Sequence, residues 1–206
     1  MPPPDFPLPV RGLPRADATA ERRDAARNRR LLLDAATLLV ADRGVAAVTM
    51  EAVAATAGVG KGTVFRRFGS RAGLMLALLD HSEQELQAAF MFGPPPLGPG
   101  AEPVDRLVAF GRARLAMVET QGDIMRAAES TRESRFDAPP YLVAVTHVSA
   151  LLRAAGHRED VRLLADTLLA ALDADLVLHQ VRALHIPLPT IADRWADLAR
   201  RMTPPN

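Results

Sequence analysis

Lys61, Thr63, Arg66, Arg67 and Arg71 stand close together in the run KGTVFRRFGSR, and their side chains suit contact with duplex DNA. A lysine donates to guanine O6 and N7 in the major groove, and a threonine offers a hydroxyl to a polar base edge or a methyl to thymine. The three arginines suit phosphates, which fix register and give salt-dependent affinity without reading sequence. Gly62 lets a backbone come close to a nucleic acid, and the first turn of a helix beginning near Lys61 adds free N–H groups and the positive end of its dipole.

Two short helices around a tight turn would position these groups. Thr49 caps the first, with Val53, Ala54 and Ala57 facing inward, and Gly58 ends it where an unrestricted backbone is needed. After Val59 and Gly60 the second helix buries Val64 and Phe68, four residues apart, and directs Thr63, Arg66 and Arg67 outward. The pattern is a helix-turn-helix, with Thr49 and Phe65 completing the set of residues assigned to its DNA face.

Other chemistries fit poorly. GVGKGT looks like a phosphate loop, but Ala55 stands where the first glycine belongs, Gly62 follows the lysine in place of Ser or Thr, and no strand precedes it. There is no cysteine, which removes disulfides, thiolate metal sites and cysteine nucleophiles. No His-Glu-x-x-His, Glu-x-x-His pair, Gly-x-Ser-x-Gly or dinucleotide fingerprint occurs, so neither an enzyme, a cofactor nor a metal is expected.

From about Arg22 to Leu79 the chain resembles the DNA-binding region of the TetR/AcrR family of transcriptional regulators. The resemblance lies in a long helix ending at Gly44, the entry Val48, Thr49 and Val53, the turn and helix AGVGKGTVFRRF, and the following SRAGLMLALL. The family pattern V-S-K-G-T-L-Y-x-H-F stands here as VGKGTVFRRF. Phe65 therefore lacks the usual tyrosine hydroxyl, Arg67 replaces a frequent histidine, and Gly60 removes one possible side-chain contact.

The surrounding chain fits a two-domain, all-α reading. Residues 1–18 hold six prolines without apolar periodicity and read as a disordered arm whose Arg11 and Arg15 could touch DNA. That arm lacks the basic start and apolar core of a secretory signal, so the protein is expected to be cytoplasmic. Residues 19–69 form the helix-turn-helix domain, opening with a helix to Arg43 that carries Leu32, Ala35, Ala36, Leu39 and Val40 on one face. Residues 1–80 have net charge +4 and 81–206 net −3, which puts the basic end at the DNA reader.

Residues 70–206 form the second domain. Ser70 caps a helix running to about Met91, and GPPPLGPGAEP cannot be helical. Helices are expected from Val104 to Glu119, around Ile124 to Ser130, from Pro139 onward, from Arg158 to Leu184, and over a last stretch after HIPLPT. The 15 uncharged residues after Asp137 are too few for a membrane span of roughly 20, and read as the central helix.

The family resemblance implies that this domain dimerises and holds a small-molecule cavity. Leu164, Leu168, Leu172 and Leu176, with Ile191, Trp195, Leu198 and Met202, form two apolar stripes for the dimer, although both could instead be internal core. Cavity candidates are Phe110, Met117, Met125, Phe136, Tyr141, His147 and His179. The resulting expectation is a homodimeric regulator, most simply a repressor, released from a palindromic DNA operator by a hydrophobic effector. The competing reading is a helical adaptor or dimeric binding protein that has lost sequence-specific DNA binding.

Overall fold

The computed structural model describes residues 16–129 and 135–202, all helix and connecting turns. Most of the proline-rich arm lies outside the described residues. The first helix, α1 (Ala16–Arg43), begins within the stretch assigned to that arm and ends at Gly44, whose φ of 76° is open to glycine at little cost. A single 3-10 turn, Val45–Ala47, leads to α2 (Met50–Thr56) and α3 (Lys61–Phe68), which pack with α1 around Leu32, Ala36, Val48, Val53 and Val64.

Helix α4 (Arg71–Phe92) leaves this unit and enters the rest of the chain. Ser70 caps it, accepting from Gly73 N–H at 3.1 Å. Its early residues Leu74 and Leu78 are fully buried, and it packs against α1, α3 and α5 (Pro103–Glu129).

The helix at the centre is α5, which packs against α4, α6 (Pro139–Ala154), α8 (Ala174–Arg182) and α9 (Leu188–Met202). That corrects the expectation that the uncharged stretch after Asp137 would be central. It forms α6 and buries Val145, Val148, Leu151 and Leu152, but Leu142 and Thr146 face solvent. Nor does the chain break before Ile124. Gly122, between the two expected helices, is buried within a continuous helix, where a Cβ would come within 2.9 Å of Leu178 on α8. Gly111, three turns earlier, lies under Trp195 of α9, and a Cβ there would meet the indole at 2.1 Å. Two missing side chains on one stripe of α5 thus admit α8 and α9. Arg182 reinforces the closure with a two-pronged contact to Asp123 at 2.7 and 2.8 Å, which holds the Asp123 carboxyl below its ordinary pKa.

The expected helix over Arg158–Leu184 is two helices. Helix α7 (Val161–Ala170) ends before a short turn, and Asp173 starts α8 by accepting from the N–H groups of Asp175 and Leu176 at 3.0 and 3.2 Å. This break interrupts the four-leucine stripe. Leu168 and Leu172 are buried, Leu164 is half-buried and Leu176 is exposed. Trp195 is also internal, its indole N–H donating to the Leu168 carbonyl at 3.1 Å. Leu168, Leu172 and Trp195 therefore belong to the core of one chain and cannot form the outer face assigned to them.

No helix among the described residues is long and apolar enough to cross a membrane. The α5 glycines give the fold a sharp test. Gly111→Ala forces Trp195 out of position and is expected to cost about 1–3 kcal/mol, read as a lower urea midpoint; an unchanged midpoint would show that α9 closes without that vacancy.

Candidate DNA interface and effector cavity

The turn between α2 and α3 is built by its own backbone. Thr49 begins α2 by accepting from Ala52 N–H at 3.0 Å. At the other end Val59 N–H reaches Ala54 O at 2.9 Å and Gly58 N–H reaches Ala55 O at 3.2 Å. These paired bonds form a Schellman closure, with Gly58 at φ 68° in the left-handed position that closure requires. The chain then starts α3 at Gly60, and buried Val64 with half-buried Phe68 anchors it on the small core.

The outer face of α3 carries Lys61, Gly62, Phe65 and Arg66, all exposed, beside half-buried Thr63. No atom lies within 4 Å of a Cβ built at Gly62, so nothing in the chain itself demands a glycine there. Lys61 is not free. Its ammonium pairs with Glu51 on α2, which lowers the Glu51 carboxyl pKa, and lies 5.4 Å from the Phe65 ring centre.

The three arginines assigned to phosphates divide. Arg66 has no ion pair or hydrogen bond among the described residues and stands exposed. Arg67 instead donates to the Ala25 carbonyl of α1 at 2.6 Å. Arg71 donates to the Val48 and Val45 carbonyls at 2.9 and 3.1 Å, holding the 3-10 turn against α4. Sequence alone did not indicate these internal roles, because the carbonyls they meet lie 23 to 42 residues away.

A cavity of about 550 Å³ lies between α4, α5, α6 and α7. Met125, Phe136 and Tyr141 line it, as three of the seven expected residues. Its polar wall is the Glu83–Arg114 pair together with Asp166, which accepts from Tyr141 O–H at 2.6 Å and from Arg162 Nε at 2.9 Å. A smaller space of about 280 Å³, lined by Phe90 and Phe110, shares Glu83 and Arg114 with the first.

The remaining expected residues lie elsewhere. Met117 is buried against Arg114, and His179 is exposed on α8. Asp175, which could have paired with His179, meets Arg126 at 2.6 Å. His147 stacks on Phe90 with ring centres 4.0 Å apart, outside both cavities. Burial, followed by the nearby Arg106 charge, pushes its pKa from the ordinary 6.5 to about 4. The polar wall residues Glu83, Arg114, Arg162 and Asp166 were missed; the Arg162–Asp166 spacing of four was the one local signal.

The sequence profile described as bacterial regulatory proteins, tetR family, matches residues 32–78, which spans the helix-turn-helix. The HTH-type transcriptional repressor LfrR of Mycolicibacterium smegmatis is 40% identical over 82 residues, covering 40% of this chain and 42% of LfrR. The TetR transcriptional regulator SCO0520 of Streptomyces coelicolor superposes with a TM-score of 0.59 at 25% identity, over 86% of this chain and 99% of that one.

Residues 32–78 carry the helix-turn-helix of the TetR family. A TetR-family regulator from a Rhodococcus species shares this chain's fold, with a TM-score of 0.60 at 20% identity over 87% of this chain and 100% of that one. The TetR profile thus covers the N-terminal region, and over most of the chain the likeness is one of helical architecture. The match to LfrR spans less than half of that repressor's length.

Two outcomes check the geometry. Arg71→Ala leaves two carbonyls without their partner and is expected to destabilise the protein by about 1–2 kcal/mol, whereas Arg66→Ala leaves the melting temperature unchanged. His147 is neutral in the folded protein down to about pH 4 but takes a proton in the unfolded chain below about 6.5, so its contribution favours folding above 6.5 and is lost as pH falls to 4. His147→Phe should flatten the stability profile in that window, as followed by urea titration at stepped pH.

Proposed function

We propose that this TetR-family chain is a DNA-binding transcriptional regulator, acting as a cytoplasmic homodimeric repressor that leaves a palindromic operator when a small hydrophobic molecule binds. The observation that carries the reading is α3 itself. It is held by a Schellman turn and a small core, while Gly62, Phe65 and Arg66 stand exposed on its outer face beside half-buried Thr63 and Lys61, which is exposed but paired with Glu51 of α2. Thr63 and Lys61 read bases, Arg66 meets phosphate, and Gly62 admits close backbone approach. Thr49, Arg67 and Arg71 act chiefly by setting the angle of α3. Residues 19–69 act as the reader, and 70–206 as the effector and dimerisation domain.

The effector site is the larger cavity. Met125, Phe136 and Tyr141 supply apolar contact, with the Glu83–Arg114 pair at its wall, and its volume suits a drug-sized ligand. Because α4 carries Leu79 and Glu83 into that cavity and starts one turn after α3, displacement of its middle by a ligand moves the recognition helix. A second copy docks on the outer faces of α8 and α9, where Leu176 and Leu198 remain exposed. Two readers related by a two-fold axis then meet successive half-sites.

The adaptor alternative draws on the engagement of Lys61 with Glu51 and of Arg67 and Arg71 within the domain. Selection of duplexes from a random pool decides between the two. The regulator should enrich a palindrome that Lys61→Ala, Thr63→Ala protein does not, while the adaptor enriches none. Affinity for the selected site should fall with salt at a log–log slope on the order of −5, if about six phosphates are neutralised per dimer. Gly62→Ala should stabilise the protein by up to about 1 kcal/mol yet weaken operator binding; undiminished binding would show that DNA does not approach the backbone there.

A further inference from the structure

Where α1 crosses α4, three side chains with metal-ligating atoms converge outside both the DNA face and the cavity. His81 of α4 is 9% exposed, and its Nε2 lies 3.1 Å from Asp34 Oδ1 on α1 and 3.4 Å from Glu85 Oε1 one turn further along α4. The three atoms all lie within 4.8 Å of one another. The arrangement is electrically awkward for a bare histidine. Nε2 carries at most one proton, which can point along only one of the two lines, leaving the other carboxylate oxygen beside a nitrogen with nothing to donate to it.

A cation at the point of convergence satisfies all three atoms together. In a tetrahedral zinc site, with bonds of about 2.0–2.1 Å, neighbouring ligand atoms stand about 3.4 Å apart, close to both separations seen here. An imidazole and two carboxylates are ligands suited to zinc, and the half-exposed Asp34 and Glu85 leave a side open for water as the fourth ligand. We propose that Asp34, His81 and Glu85 bind a single divalent transition-metal ion of the zinc type. The ion fastens α1, in the three-helix unit, to α4, in the helical body, through bonds that hydrogen bonding alone does not supply. Arg30, whose guanidinium lies 3.9 Å from Glu85, competes with it for that carboxylate.

The site escaped sequence reading because Asp34 and His81 are 47 residues apart; only the His81–Glu85 spacing of four is local. It stands independently of DNA binding and is tested without DNA. Untagged full-length protein is titrated with zinc chloride against a chromophoric chelator, and thermal melts are recorded with and without zinc. Wild type should take up a single zinc per chain and melt at a higher temperature with it. Asp34→Asn and Glu85→Gln, which keep size and remove a ligand charge, should each bind at least about tenfold more weakly and lose the shift, while Arg30→Ala binds more tightly. Absence of binding at micromolar zinc, or the same affinity in wild type and both carboxylate variants, overturns the proposal.

Discussion

Helix α4 must pack on the three-helix unit at one end and on the helical body at the other, within one continuous core, and the rest of the structure follows from that constraint. Its first turns bury Leu74 and Leu78 while it packs on α1 and α3, and its later turns pack on α5 and carry Leu79 and Glu83 into the cavity. Neither half can shift without consequence for the other, because packed interiors lose contact energy on small displacements. Gly69 with φ 73° and the Ser70 cap fix where the helix begins, so its orientation is set at the end of α3. Arg71 adds its two carbonyl contacts at the same junction.

The helix-turn-helix was legible because its determinants are local. Thr49, Gly58 and Ser70 each act on backbone groups within five residues, so their types announce their roles. The chain beyond Ser70 was legible only as helical. Its helix boundaries depend on packing across the chain: Gly122 breaks nothing because Leu178 fills the space beside it, and Asp173 ends a leucine run that periodicity alone would continue. The leucine stripe was real as a pattern yet assigned to the wrong side, since Leu168 and Leu172 are core.

Charge was similarly double-edged. The basic surplus of the first 80 residues suggested DNA, yet part of it is spent inside the domain. Arg67 and Arg71 bond to carbonyls of α1 and the adjoining turn, and Arg29 lies over the Phe68 ring at 5.3 Å. Arginine suits this use because several donors in one plane can serve more than one partner. Composition reports how many cations a domain has, but only geometry tells which remain to face another molecule.

The two glycines of α5 also determine which walls of the cavity can yield. Arg114 and Met125 line it from a stripe of α5 next to the one carrying Gly111 and Gly122, each pair separated by eleven residues. Rolling α5 aside would drive Trp195 or Leu178 into backbone, so this helix is a fixed jaw. Any guest too large for the space must push against the opposite jaw, formed by α4, α6 and α7. If the proposed effector site is correct, strain from a poor fit would fall on α4, α6 and α7 instead of on α5.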